Sequence, residues 1–143
     1  MEYTTKTADE TKKLGETFGS KLIGGETICL YGELGAGKTV FTSGLINYFL
    51  PKKRILSPTF IIVRHYPVID SRIKNIYHAD LYRMTNDGEI ESTGLMEFVN
   101  KPDSVVLVEW AEKMGKVLPK DRTDVKLLIT GEHRRKISII KYD

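Results

Sequence analysis

Apolar residues in this chain recur with two periods, and each period marks one kind of element. After Thr7-Ala8-Asp9-Glu10, a capping-box spelling, Leu14, Phe18 and Leu22 fall four apart and predict a first helix, closed by Gly24-Gly25. Glu26–Tyr31 (ETICLY) reads as a strand. Val40, Phe41, Leu45, Ile46, Phe49 and Leu50 then return to helical spacing as far as Pro51. Phe60–Val63 and Asn75–Asp80 (NIYHAD) are β-rich runs. Asn86-Asp87-Gly88-Glu89 is another helix start, with Ile90, Leu95 and Phe98 as its apolar contacts. Ser104–Trp110 (SVVLVEW) is apolar nearly throughout, the pattern of a strand buried on both faces. Val125–Thr130 and Lys136–Tyr142 are two late strands joined by a short polar loop around Gly131, expected as an antiparallel pair. Interleaved strands and helices predict an α/β fold with a mixed sheet, antiparallel in its C-terminal portion.

Between the first of these strands and the helix after it lies Gly32-Glu33-Leu34-Gly35-Ala36-Gly37-Lys38-Thr39, which fits G-x-x-x-x-G-K-[ST] at every fixed position. Glycines let successive backbone N–H groups turn inward around phosphate oxygens, where a Cβ would obstruct them. The helix that follows adds the positive end of its dipole, Lys38 a point charge for the β- and γ-phosphates, and Thr39 a hydroxyl for Mg²⁺. The competing reading is a glycine-rich turn that only joins a strand to a helix. The strand before it and the amphipathic segment after it favour phosphate binding, with Gly35, Ala36, Gly37, Lys38, Thr39 and Val40 as the candidate contacts.

Composition narrows the class without naming a function. A length of 143 residues predicts a single domain over 1–143, and 41% hydrophobic with 29% charged residues is ordinary for a soluble globular protein. No apolar run approaches the roughly 18 residues of a membrane span, and Val105–Val108 is strand-sized. The N-terminal MEYTTKTADE has no apolar signal core. The single cysteine, Cys29, has no partner for an internal disulfide and is expected as a small buried residue, so a reducing, cytoplasmic setting is expected. A net charge of +3 is weak support for nucleic-acid binding, and the two dense basic runs, Lys52–Arg54 and Arg134–Lys136, fall where solvated turns are expected.

A triphosphate site also needs an acidic group near Mg²⁺ and a group that orients the nucleophile. Glu109 ends the apolar strand Val105–Val108, where such a carboxylate is expected. Asp80, emerging from Ile76-Tyr77-His78-Ala79, is the second candidate, with a turn-capping role as its alternative. Lys38 and Asp80 are the candidate catalytic residues. Ser57-Pro58-Thr59 lies 18 residues after Thr39, in the interval where nucleotide switches carry a γ-phosphate-sensing hydroxyl. Trp110 adjoins Glu109 and is either a nucleotide-sensing aromatic or simply a partly buried one. His65, His78 and His133 have no cysteine or acidic partner at metal-ligand spacing, so zinc is not expected. Asn100-Lys101-Pro102-Asp103 spells the guanine-reading N-K-x-D motif, but it precedes a core strand instead of following one and reads as a surface loop.

Taken together these segments resemble the TsaE (YjeE) family of small P-loop ATPases needed for threonylcarbamoyladenosine formation in bacterial tRNA. The matching pieces run in family order: GELGAGKT at 32–39, SPTF at 57–60, HADLYR at 78–83, VEW at 108–110, then Gly115 with Leu118-Pro119. The resemblance implies a three-layer P-loop fold that binds and hydrolyses ATP with Mg²⁺. The implied partners are TsaB and TsaD, of which TsaD carries out the transfer onto the adenosine beside the anticodon, so tRNA is reached only through the complex. By the same analogy Thr39 and Glu109 hold Mg²⁺, Asp80 positions or activates the water, Ser57–Thr59 form a switch-like segment, and Trp110 lies near the nucleotide. Two alternatives stay open. A small-molecule P-loop kinase would need a lid and an acceptor pocket, and only Arg83 lies near a site motif. A nucleotide-gated adaptor with negligible turnover is compatible with every motif quoted.

Overall fold

The computed structural model describes residues 1–56, 58 and 62–143. Phe60 and Ile61 of the expected strand Phe60–Val63, together with Ser57 and Thr59, lie outside the described residues. Among the described residues seven strands form one sheet: β1 (Glu2–Thr5), β2 (Thr27–Tyr31), β3 (Val63–Pro67), β4 (Asn75–Asp80), β5 (Ser104–Glu109), β6 (Arg122–Ile129) and β7 (Arg135–Tyr142), in the order β1-β7-β6-β2-β5-β4-β3. The centre, β6-β2-β5-β4, is parallel. Both margins are antiparallel, through β3 on β4 and through β7 on β6 with β1 on β7.

The central strands are apolar because both faces are covered. Ile28 and Leu30 of β2, with Val105 and Leu107 of β5, pack under α1 (Ala8–Gly19) and α2 (Lys38–Phe49) against Phe41, Leu45 and Ile46. The alternate positions Cys29, Val106 and Val108 face the other way. They meet Ile90 of α3 (Asp87–Ser92), Leu95 of a 3-10 turn at Leu95–Phe98, and Met114 of a kinked 3-10 segment at Ala111–Val117. This makes three layers, helices on both sides of a sheet. Cys29 is fully buried, and that burial, reinforced by the Asp124 charge, pushes its thiol up to about 12.

Helices α1 and α2 lie in direct backbone contact. A Cβ on Gly15 would sit 2.2 Å from the Phe41 carbonyl oxygen, and one on Gly44 would sit 2.0 Å from the Lys12 carbonyl oxygen. Glycine is required on both helices by this close approach. Thr7 caps α1 as expected, its Oγ1 accepting from the Glu10 amide at 3.1 Å. The return bond of the box is offset by one, with Glu10 Oε1 accepting from the Lys6 amide at 2.9 Å.

Several boundaries differ from expectation, each for a tertiary reason. The first helix ends at Gly19, so Leu22 follows it and packs against the same core from the connecting segment. The strand expected to end at Val63 continues to Pro67, where its register with Ala79–Asn75 of β4 holds it. Strand β5 stops at Glu109, because Trp110 turns into the left-handed region at φ 59°. Strand β6 begins at Arg122, three residues before the apolar run, because Thr123 and Asp124 pair with Ile28 and Cys29 of β2. Asp124 is buried there with the Arg122 guanidinium at 2.9 Å. The polar Glu2–Thr5 is a strand only because β7 offers it an edge. Asn100–Asp103 is the turn before β5, and its Asp103 carbonyl accepts from the amides of Lys74 and Asn75 at 2.8 and 3.2 Å.

Gly44→Ala is expected to destabilise the fold by about 1–3 kcal/mol, the scale of overpacking at a site where backbone must move. Urea unfolding followed by circular dichroism measures it, and an unchanged midpoint would contradict the close helix contact.

Candidate functional site

The chain leaves β2 at Tyr31 and forms its phosphate loop at the carboxyl edge of the parallel strands. Gly35 (φ 84°) and Gly37 (φ 102°) both adopt left-handed backbone, which costs a residue with a Cβ about 1 kcal/mol or more. Gly37 is the N-cap of α2 and places no side chain over the helix amides, so the first turn faces the space above the loop. The Ala36 side chain is fully buried, while its amide donates to the Glu33 carbonyl at 3.0 Å.

Lys38 is 5% exposed, and its ammonium donates to the carbonyls of Gly32 and Glu33, the latter at 3.0 Å, while lying 3.9 Å from the centre of the Trp110 ring. Burial drives the Lys38 pKa below its ordinary value of 10.5, against the upward pull of Glu109, Glu112 and Asp80. The charge is thus held by two main-chain carbonyls of its own loop.

Opposite it, Thr39 Oγ1 donates to the Glu109 carboxylate, at 2.9 Å from Oε1 and 3.1 Å from Oε2. Glu109 is 2% exposed, and its Oε2 also lies 2.5 Å from Nε2 of the fully buried His78. Asp80 is directly paired with Glu109 in the parallel ladder, so the two carboxylates stand side by side at their strand ends. Asp80 Oδ1 accepts from the Tyr82 amide at 2.9 Å, the capping contact read from the sequence as its alternative role. The Tyr82 ring in turn lies 5.0 Å from the Trp110 ring.

Most of the predicted residues therefore meet, whereas the buried Ala36 lines a neighbouring cavity with Arg135 instead. Gly35, Gly37, Lys38, Thr39 and Val40 line a cavity of about 430 Å³ together with Asp80, Tyr82, Glu109 and Trp110. A larger cavity, about 590 Å³, lies beside Lys53, Arg54 and β3 and contains none of them. Convergent charge and loop geometry, and not volume, identify the site. Of the expected switch segment, Pro58 is buried, and Ser57 and Thr59 lie outside the described residues.

Two residues escaped sequence reasoning. His78 is paired with an acid 31 residues away, so no local spacing could reveal it. Alternation along β4 was the available signal, because it puts His78 and Asp80 on one face, the face on which Ile76 meets the core under α2. Arg135, whose Nε donates to the Ala36 carbonyl at 3.0 Å, is 99 residues from its partner and carries no sequence signal for that contact.

A glycine loop between a parallel strand and a helix, with lysine and threonine facing strand-end carboxylates, defines a P-loop NTPase-like α/β protein. Residues 5–137 match the model of the family described as threonylcarbamoyl adenosine biosynthesis protein TsaE. The chain belongs to the TsaE family. Proteins named tRNA threonylcarbamoyladenosine biosynthesis protein TsaE include one from Rickettsia felis, 35% identical over 92% of this chain and 75% of its own length. Another from Bacillus subtilis is 33% identical over 96% of this chain and 84% of its own. The crystal structure of YdiB from Bacillus subtilis superposes with a TM-score of 0.81 at 27% identity, covering 100% of this chain and 86% of that one. Among the described residues no helix is long and apolar enough to cross a membrane.

The buried ammonium has a pH signature. Between its lowered pKa and 10.5 the unfolded chain holds this proton and the folded chain does not. Lys38 therefore costs stability at lower pH, and that cost fades as pH rises through this window. In side-chain NMR of the nucleotide-free protein, Lys38 is expected to titrate below 10.5 and to move upward when tripolyphosphate is added. A midpoint at or above 10.5 before addition would contradict the desolvated environment.

Proposed function

We propose that this chain is an ATP-binding and ATP-hydrolysing protein of one domain. It would act in the cytoplasm in threonylcarbamoyladenosine modification of the tRNA adenosine beside the anticodon, together with TsaB and TsaD. The family supplies the pathway. The single observation that carries the nucleotide chemistry is the convergence of Lys38, Thr39, Asp80 and Glu109 on one cavity over the glycine loop.

In this reading Lys38 exchanges the Gly32 and Glu33 carbonyls for phosphate oxygens. It gives up two neutral acceptors for charged ones, which strengthens each bond. The amides of the loop and of the first turn of α2 bind the remaining oxygens. The donors at Thr39 and Glu109 suit Mg²⁺. Both are hard oxygens, and Thr39 spends its one proton on the carboxylate, leaving its lone pairs for a cation. When bound, Mg²⁺ would neutralise charge developing on the transferred phosphoryl group. His78 holds the Glu109 carboxylate from behind at 2.5 Å. Asp80, on the adjacent strand end, orients the attacking water. Trp110 gives up its contact with the Lys38 ammonium as that ammonium turns to phosphate, so its emission reports binding. Ser57–Thr59 act as the switch segment.

The test is a nucleotide titration read by the single tryptophan. Mg-ATP and Mg-ADP should each give a saturable change in the parent protein. Lys38→Ala should lose at least about 100-fold in affinity, the scale of two charge-assisted bonds of roughly 1.5 kcal/mol each. Glu109→Ala should weaken binding in Mg²⁺ far more than in EDTA. Asp80→Ala should bind nearly as well as the parent and release phosphate on the order of 100-fold more slowly. Parent-like affinity in Lys38→Ala would refute the phosphate-loop reading, and identical defects in the two acidic variants would refute their separate roles. Calorimetry with the TsaB–TsaD pair should find tighter association with ATP than without nucleotide, and equal affinity would eliminate the switch.

A further inference from the structure

We propose that Arg135 is a positioning residue that holds the phosphate loop in its anion-binding shape and ties that shape to the turn between β6 and β7. Its place is fixed from both sides, because it pairs with Ile129 of β6 and with Thr5 of β1 at the start of β7. From there the guanidinium reaches two carbonyls of the loop, with Nε on Ala36 at 3.0 Å and Nη2 on Gly35 at 3.1 Å. Nη1 holds the turn, donating to the carbonyls of Gly131, Glu132 and Arg134 at 3.2, 3.4 and 2.8 Å. All five acceptors are main-chain oxygens, so the planar fork grips two backbone segments at once.

The consequence for the loop follows from peptide geometry. In a planar trans peptide the C=O of one residue and the N–H of the next point in opposite directions. Drawing the Ala36 carbonyl toward β7 therefore turns the Gly37 N–H away from Arg135, to the opposite side of the loop. The Ala36 amide is already tied to the Glu33 carbonyl at 3.0 Å, so the loop is restrained from within as well as from behind. Gly35 and Gly37 make this segment the most entropically expensive part of the site to order, and Arg135 orders it before any anion arrives. Its positive charge also stands behind the loop, adding to the field that Lys38 supplies in front.

The inference rests on the phosphate-binding reading above, so the test uses a probe without a base. Inorganic tripolyphosphate and ATP are titrated by calorimetry into the parent, Arg135→Met, Arg135→Lys and Lys136→Met, the last a neighbour on β7 whose ammonium lies 3.4 Å from Glu2. Hydrogen exchange is followed over residues 33–38 and 130–135 without ligand. Arg135→Met should weaken both ligands by the same factor, at least about tenfold. It should also speed exchange in both segments. Arg135→Lys should fall between it and the parent, since a point charge replaces the fork, and Lys136→Met should match the parent.

Unchanged affinity in Arg135→Met would overturn the proposal. So would a loss confined to ATP, which would assign Arg135 to the nucleoside, or a loss with unchanged exchange in 33–38, which would make it a direct phosphate contact. If Arg135→Met does not fold, parent-like affinity and exchange in Arg135→Lys would overturn it equally. Failure of the parent to bind either ligand would refute the phosphate-binding reading itself, and this inference with it.

Discussion

The carboxylate of Glu109 is the constraint around which the site is organised. A carboxylate withdrawn from water is costly unless it is hydrogen-bonded, and here it is 2% exposed. Its partners come from two different elements: His78 from β4 and Thr39 from the first turn of α2. Satisfying one group therefore fixes the offset of β4 against β5 and the approach of α2 to both. A shift of one residue in either strand would turn the histidine or the carboxylate to the opposite face of the sheet, among Cys29, Val106 and Val108. The geometry of this cluster and the sheet register are in this sense the same fact.

Around that anchor the loop is held between two cations. Lys38 lies in front of it, on the carbonyls of Gly32 and Glu33, and Arg135 behind it, on those of Gly35 and Ala36. Backbone that an unliganded glycine loop would leave mobile is thus satisfied before ligand arrives. Lys38 bears the cost of the arrangement in its lowered pKa, a penalty common at sites shaped for function. The close seating of α2 on α1 through Gly15 and Gly44 supports the same end, since α2 carries both Lys38 and Thr39.

Much of this was legible in the chain itself. The phosphate loop is a local motif, with every residue it needs inside eight consecutive positions, so its spelling and its function coincide. Strand β5 was legible because two-sided burial leaves a continuous apolar run, and Glu109 because it ends that run. The elements that escaped have no apolar signal of their own. Glu2–Thr5 becomes a strand only against β7, and the polar start of β6 is buried by its pairing with β2, where Arg122 pairs with the Asp124 charge. Leu22 kept the helical spacing beyond the helix because its burial, not its backbone, is what the pattern reports.

Local order of residues thus determined the phosphate-loop spelling and, through the strand before it and the helix after it, the class of protein to which the chain belongs. Tertiary structure decided which distant groups gather around that loop. Parallel pairing set Asp80 beside Glu109 and put His78 behind it, and the return of β7 brought a guanidinium to a loop 99 residues earlier in the chain. Contacts of that kind depend on strand order and register, which arise from burial summed over the whole sheet. No short stretch of sequence contains that sum.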